Sequence, residues 1–304
     1  MQTIIEQLYQ NINGPIQDAA EKIGIRVKAS AHYLDFIKGL KIVRLSVRHS
    51  IYALDIINSF DYYFDAVESQ DFSGFRIVDY SMSRYHDVVG FELMPVYFPS
   101  LAEPIVTTNQ YIDFAGLEQG GVVLDLGAYS GLTSIIFKEK VGSSGRVIAV
   151  DADAVNVLAI KKNFDLYKKI SGNEIEFIHG AVWSHCDGLS FSSEGNMGSS
   201  ASEIVGYQRG NNVSVKSYTL EKIAEEFQLE RIDFIKCDIE GGERVVFENK
   251  GFFDKYRPRI IVEPHVVGAE LTTEKFTSDL RRYGYNCKNI HQVGVSLPLV
   301  ECYP

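Results

Sequence analysis

Apolar positions follow two rhythms along the chain. From about Leu117 onward, short continuous apolar runs alternate with segments whose apolar residues recur every three to four positions. That alternation predicts buried parallel strands joined by amphipathic helices. The predicted strands are Val122–Leu126, Val147–Val150, Ile175–Val182, Val213–Tyr218, Ile232–Cys237 and Arg259–Val262. The predicted helices are Leu132–Lys140, Val155–Tyr167, Thr219–Phe227, Glu243–Tyr256 and Thr273–Tyr283. Asp153 stands where an N-cap is wanted. Residues 285–304 read as a terminal antiparallel hairpin turning near Gly294, and Gly195–Asn212, rich in Gly, Ser and Asn, as a loop.

Residues 1–104 have a different texture. Thr3–Ile23 has a helical pattern interrupted at Gly14-Pro15, and a second helix is expected over Ala31–Leu40. Residues 51–98 are dense in Tyr, Phe and Asp and carry short alternating runs such as Phe75–Tyr80. The expected organisation is an N-terminal α+β cap over 1–104, concerned with substrate recognition, and an α/β core over 105–304. The aromatic enrichment suits a substrate or subunit surface, and equally the packing of a small appended domain. Arg84, Tyr85 and His86 are its candidates for reaching an acceptor.

Composition narrows the classes. At 45% hydrophobic, the 304 residues can bury a full core. No apolar run approaches the ~20 residues of a membrane span, and Met1–Ile25 lacks the layout of a signal peptide. The four cysteines, Cys186, Cys237, Cys287 and Cys302, show no close pairing and read as reduced thiols of a cytoplasmic protein. A net charge of −10 argues against nucleic-acid partners. A homo-oligomer is left open.

The chemistry concentrates in Val122-Val123-Leu124-Asp125-Leu126-Gly127-Ala128-Tyr129-Ser130-Gly131. A buried strand ends in an acid and feeds a glycine-punctuated turn into a helix. The next strand ends at Asp151, 20 positions past Gly131, where a carboxylate can accept both hydroxyls of a ribose. Together these features suggest an adenosine-type cofactor. Asp125 would repel a pyrophosphate, and the third glycine of a dinucleotide turn is missing. The same acid suits the ammonium and sulfonium of S-adenosylmethionine. The rival readings are a nicotinamide-dependent oxidoreductase and a methyltransferase-like binding protein without catalysis.

Three further segments stand in order. They are Tyr218-Thr219-Leu220-Glu221, Ile235-Lys236-Cys237-Asp238-Ile239-Glu240-Gly241-Gly242-Glu243 and Arg257-Pro258-Arg259-Ile260-Ile261-Val262-Glu263-Pro264-His265. They resemble the T-L-D, I-K-x-D-x-E-G-x-E and R-P-x-I-x-x-E-x-H segments of the FkbM family of class I S-adenosylmethionine-dependent methyltransferases. The resemblance covers residues 105–267, about half of the protein. It departs at Tyr129, where the family usually has Asn, and at Asp151, often Glu. It implies a Rossmann-like fold with a mostly parallel seven-stranded sheet and a terminal antiparallel hairpin. It also implies O-methylation of a hydroxyl on a saccharide or other small-molecule natural product.

The expected roles follow from the strand ends, where ligands of open parallel sheets sit. Asp125 serves the methionine amino group through backbone amides or water, and Gly127, Ala128, Tyr129 and Gly131 form the turn beneath the cofactor. Asp151 takes the ribose, while Ala152, Gly180 and Ala181 border the adenine. Thr108, with Thr107 and Gln110, folds over the cofactor's carboxylate. Asp238, Glu240 and His265 are the acceptor-side catalytic candidates. Asp238 or His265 would take the proton, or the three would hold a divalent cation such as Mg2+. Glu243 and Glu263 lie close enough in sequence to join them.

Overall fold

Leu34 and Phe36 are fully buried between the half-exposed Tyr33, Asp35 and Lys38. That period of two makes Tyr33–Lys38 a strand. The helix expected over Ala31–Leu40 is therefore corrected. Gly39-Leu40 turns the chain straight back, with Lys38 opposite Lys41 in a regular hairpin. The computed structural model in which this is seen describes residues 14, 16–193, 200–201, 211–268 and 270–304. It divides the chain into two compact units, Met1–Ile105 and Val106–Pro304.

The first unit begins with helix α1 (Gln17–Lys22); the rest of the helix expected from Thr3, residues 3–13 and 15, lies outside the described residues. Strands β1 (Arg26–Ala29), β2 (Tyr33–Lys38), β3 (Lys41–Ser46), β4 (Gln70–Phe72) and β5 (Phe75–Tyr80) form a sheet in the order β1-β2-β3-β5-β4. Only β3 and β5 pair in parallel. Two short helices, α2 (Ala53–Asn58) and α3 (Phe60–Phe64), fall where alternating runs are expected. Much of the aromatic density is packing: Phe60, Tyr63, Phe64, Tyr80 and Phe98 are buried. The Tyr80 hydroxyl donates to the Tyr63 carbonyl at 2.8 Å. His86 packs against the rings of Tyr80 and Phe98, and burial pushes its imidazole down to about 4.

The second unit begins one residue into α4 (Ile105–Ala115) and carries a seven-stranded sheet. Its strands are β6 (Val122–Leu126), β7 (Arg146–Asp151), β8 (Glu176–His179), β9 (Phe234–Cys237), β10 (Arg259–Val262), β11 (Asn286–His291) and β12 (Pro298–Tyr303). The order is β8-β7-β6-β9-β10-β12-β11, with β12 antiparallel to both neighbours and the rest parallel. This is the Rossmann-like class I methyltransferase fold, with its topological switch point between β6 and β9. The helices are α5 (Leu132–Val141), α6 (Ala154–Ser171), α7 (Leu220–Glu226), α8 (Glu243–Val246), α9 (Lys250–Tyr256) and α10 (Thr273–Arg282). Residues alternate between two apolar layers along each strand. Val123, Phe234 and Ile261 pack with Phe137 and Leu299, while Leu124, Ile235 and Ile260 pack with Phe253 and Phe276.

Local chemistry sets the helix starts. The Asp153 carboxylate caps α6 by accepting from the amides of Val155 and Asn156, and the Thr219 hydroxyl caps α7. The Asn249 side chain caps α9, so the single helix expected over Glu243–Tyr256 is two. The strand expected over Ile175–Val182 also divides: Ala181–Val182 pairs with Ser217–Tyr218 and leaves the main sheet. Of the expected loop Gly195–Asn212, residues 195–199 and 202–210 lie outside the described residues, and Ser200–Ala201 pairs with Leu189–Ser193.

The expectation of four reduced cysteines is corrected. The register of β11 and β12 sets Cys287 opposite Cys302, and their sulfurs are bonded. Hairpin register brings together two residues that sequence spacing keeps apart. Cys186 and Cys237 are free. Among the described residues, no helix is long and apolar enough to cross a membrane.

Candidate functional site

The carboxyl ends of β6, β7, β9 and β10 share one edge of the sheet, and the acids singled out in the sequence stand there. The turn after β6 is stitched to the end of β7. The amides of Gly127 and Ala128 donate to the Val150 carbonyl at 2.9 and 3.1 Å, and the amide of Tyr129 donates to Asp151 Oδ2 at 2.8 Å. Tyr129 is buried with φ +51°, in the left-handed region that disfavours most side chains and that Asn tolerates best. Gly127, at φ +79°, lies so close to the start of the loop after β9 that an added Cβ would fall 1.7 Å from the Asp238 carbonyl oxygen. The two strand ends flanking the switch point therefore touch through a bare backbone.

Asp151 is 8% exposed. Besides Tyr129, it accepts from the Asp153 amide at 2.9 Å and from Asn156 Nδ2 at 3.3 Å, both on Oδ1. Burial pushes its carboxyl up to about 7 against these donors. A carboxylate offers about four acceptor positions, so three protein donors leave room for one ligand hydroxyl where two were expected. Ala152 and Ala181 meet in one apolar cluster with Trp183, Leu189 and Phe191. Gly180 donates its amide to the Asp151 carbonyl at 2.9 Å.

Asp125 is fully buried beneath the turn. Its carboxylate accepts from the Ser134 hydroxyl and lies 3.5 Å from Lys236 Nζ. Burial raises its pKa, and Lys236 and Ser134 oppose the rise. At 0% exposure, a direct contact with a ligand is closed to it in this geometry. Lys236, 2% exposed, was not among the expected site residues. Its signal in the sequence is a charged residue inside an otherwise apolar strand, which is rare without a partner.

The acceptor-side candidates also come together. His265 Nδ1 is bonded to Glu243 Oε1 at 2.6 Å. Its Nε2 lies 3.6 Å from Asp238 Oδ1 and 3.4 Å from Glu240 Oε1. Glu243 is 0% exposed, so the ring is clamped from its buried side and turns its other nitrogen toward the two partly exposed carboxylates. Glu240 sits at φ +52°, and the strained loop points it back at His265. Burial, with the charges of Asp238, Glu243 and Glu263, raises Glu240 to about 8. Burial works to lower His265, but the charges of Glu240 and Glu243 overcome it and hold the imidazole well above its usual range. Burial also raises Glu263, which accepts from the Tyr111 hydroxyl at 3.0 Å. Asp238, Glu240 and His265 each offer a ligand atom, and these lie within 4.8 Å of one another.

The segment expected over the cofactor is the helix α4. Thr108 is buried and shares a 3.1 Å hydrogen bond with Thr133 in the first turn of α5, so it borders the glycine turn. Gln110 is engaged elsewhere, donating to the His291 carbonyl and accepting from the Val293 amide, both at 2.9 Å. It braces the terminal hairpin.

No curated protein sequence matches the chain. Many solved structures are similar to the chain, among them three that differ in how much of it they cover. The precorrin-6y C5,15-methyltransferase of Geobacter metallireducens is 13% identical, covering 66% of this chain and 87% of its own, at a TM-score of 0.40. The methyltransferase FkbM of Methylobacillus flagellatus is 13% identical, covering 65% of this chain and 50% of its own, at 0.42. The fibrillarin of Aeropyrum pernix, with natively bound S-adenosyl-L-methionine, is 12% identical, covering 92% of this chain and 99% of its own, at 0.41. Residues 125–287 match the family described as the methyltransferase FkbM domain. That span runs from the acid of β6 into β11 and takes in every acid of the shared edge. It is more than half of the 304 residues, and the chain belongs to the FkbM methyltransferase family.

Proposed function

We propose that the protein is an S-adenosylmethionine-dependent O-methyltransferase whose acceptor is a hydroxyl of a saccharide or other small natural product. The observation that carries this reading is the contact of Gly127 with the Asp238 backbone, which sets a cofactor turn directly beside the Asp238–Glu240–His265 group. When bound, S-adenosylmethionine supplies a methyl group on a positively charged sulfur, open to in-line attack by an acceptor oxygen. Residues 127–131 receive the methionine end, and buried Asp125 favours its positive charge. Asp151 takes one ribose hydroxyl. Ala152 and Ala181, with Trp183 behind them, border the adenine. Asp238 accepts the acceptor's proton, while Glu240 and His265 orient the hydroxyl toward it; such a base is worth ~10²–10⁴-fold. Residues 1–104 are assigned to acceptor recognition.

Calorimetric titration with S-adenosylhomocysteine is the first test. Micromolar binding is expected, followed by transfer of a labelled methyl group to a member of a hydroxylated acceptor panel. Asp238→Asn should lower that transfer about a hundredfold or more with cofactor affinity retained. Absence of S-adenosylhomocysteine binding would remove the reading.

A divalent cation at Asp238, Glu240 and His265 is a second reading of the acceptor side. It is favoured by the clamp on His265. If Nδ1 donates to Glu243, the Nε2 lone pair faces two carboxylates, an arrangement that calls for a cation between them. A cation there would draw down the pKa of a bound hydroxyl. One equivalent of Mn2+ is expected to bind the purified chain and to be lost in Glu240→Gln. A titration with no Mn2+ uptake would leave a proton on His265 in its place.

A further inference from the structure

We propose that Lys236 is a positioning residue that locks the donor turn to the acceptor-side acid. The proposal rests on the reading that S-adenosylmethionine occupies the turn after β6. Lys236 lies in the middle of β9, with Asp125 of β6 beside it in register. Residues in register on parallel strands share a face, as do residues two apart on one strand, so Asp125, Lys236 and Asp238 project to the same side. The ammonium donates to the Gly127 carbonyl at 2.6 Å. It also stands 3.5 Å from Asp125 Oδ1 and 3.4 Å from Asp238 Oδ2. The ammonium thus hydrogen-bonds the turn and stands within ion-pair range of both the buried acid under the turn and the acid facing the acceptor.

Neutralising Asp125 alone would not require this arrangement. A lysine that served only as counter-ion could spend its donors on that carboxylate, yet its contact with a neutral backbone carbonyl of the turn, at 2.6 Å, is shorter than those with either carboxylate. The same carbonyl belongs to Gly127, whose Cα already abuts the Asp238 backbone. Side chain and backbone together therefore form a double cross-link between the β6 and β9 ends. Burying an ammonium is costly unless its partners are well placed. An apolar residue would suit the strand, whose other residues, Phe234, Ile235 and Cys237, are fully buried. The position of the turn is what the cation contributes in return.

The test separates positioning from charge balance by comparing Asp125→Asn with the double variant Asp125→Asn/Lys236→Met in the full chain. The double variant contains neither buried charge of the pair, so it keeps the comparison open should Lys236→Met alone fail to fold. If Lys236 positions the turn, the double variant should bind S-adenosylhomocysteine about tenfold or more weaker than Asp125→Asn, the loss of a charge-assisted hydrogen bond. Peptides covering 127–131 should also exchange amide hydrogen faster in the ligand-free double variant. Equal affinity and equal exchange in the two variants would overturn the proposal. Should the wild-type chain fail to bind S-adenosylhomocysteine, the cofactor reading falls. The exchange comparison then decides Lys236 by itself: faster exchange upholds the lock, and unchanged exchange removes it.

Discussion

Gly127→Ala is expected to destabilise the Val106–Pro304 unit by about 3 kcal/mol or more, which for a unit of this size lowers its melting temperature by about 6–12 °C. Two effects add. The left-handed backbone at φ +79° costs a side-chain-bearing residue about 1–2 kcal/mol. The new Cβ would also fall 1.7 Å from the Asp238 carbonyl oxygen, far inside any tolerable contact. Neither atom can yield cheaply. Gly127 is anchored through its amide to Val150 and through its carbonyl to Lys236, and the Asp238 amide is bonded to the Leu126 carbonyl. The strand ends must move apart, and with them the turn and the acid. S-adenosylhomocysteine binding should be lost even at temperatures where the variant stays folded. Gly172→Ala is the control, because Gly172 has a similar φ of +75° but nothing within 4 Å of an added Cβ. It should show the strain alone, with binding intact. A Gly127→Ala protein that melts and binds like the Gly172→Ala control would mean that the close approach of the two strand ends is relaxed in solution.

How much of this was legible in the sequence differs by element. The second unit was plain because its strands are buried on both faces: Val122–Leu126 and Arg259–Val262 fall where their apolar runs place them. The first unit was less so. Tyr33–Lys38 reads Y-L-D-F-I-K, and a buried Ile37 beside a buried Phe36 breaks the clean alternation that marks a one-sided strand. Sequence also cannot show hairpin register, which is what pairs Cys287 with Cys302.

The site divides along a similar line. The strand-end acids were readable because topology alone carries them to one edge. Side-chain direction was not. Glu243 looked as much like a favourable charge at a helix start as a functional group. Its bond to a histidine 22 residues away depends on how the chain returns through β10. Asp125 was expected near the ligand's charge, and its depth beneath the turn became visible only with Ser134 and Lys236 around it.

Asp151 should give S-adenosylhomocysteine binding and ligand-free stability opposite responses to pH. Its carboxyl is raised from 3.8 to about 7, chiefly by burial. Only the ionised form presents Oδ2 fully to a ribose hydroxyl, so affinity should strengthen about tenfold between pH 6 and pH 8 as the ionised fraction grows. Stability runs the other way. The fold holds a proton that the unfolded chain releases near 3.8, so this group's contribution is complete below that value and is lost as pH rises through about 7. Ligand-free melting temperature should therefore fall over the range in which the ligand binds more tightly. Asp151→Asn removes the titration and turns an amide NH2 toward one of the backbone donors of Tyr129 and Asp153, which the carboxylate satisfies together. Binding should weaken about a hundredfold, and what remains should no longer respond to pH through this group. Wild-type affinity that is flat from pH 6 to 8, together with an Asp151→Asn variant that binds as well, would place the ribose away from the end of β7. The opposed trends have one physical origin: the burial that makes Asp151 costly to ionise in the ligand-free fold is what makes its carboxylate a strong acceptor once a ribose hydroxyl is there.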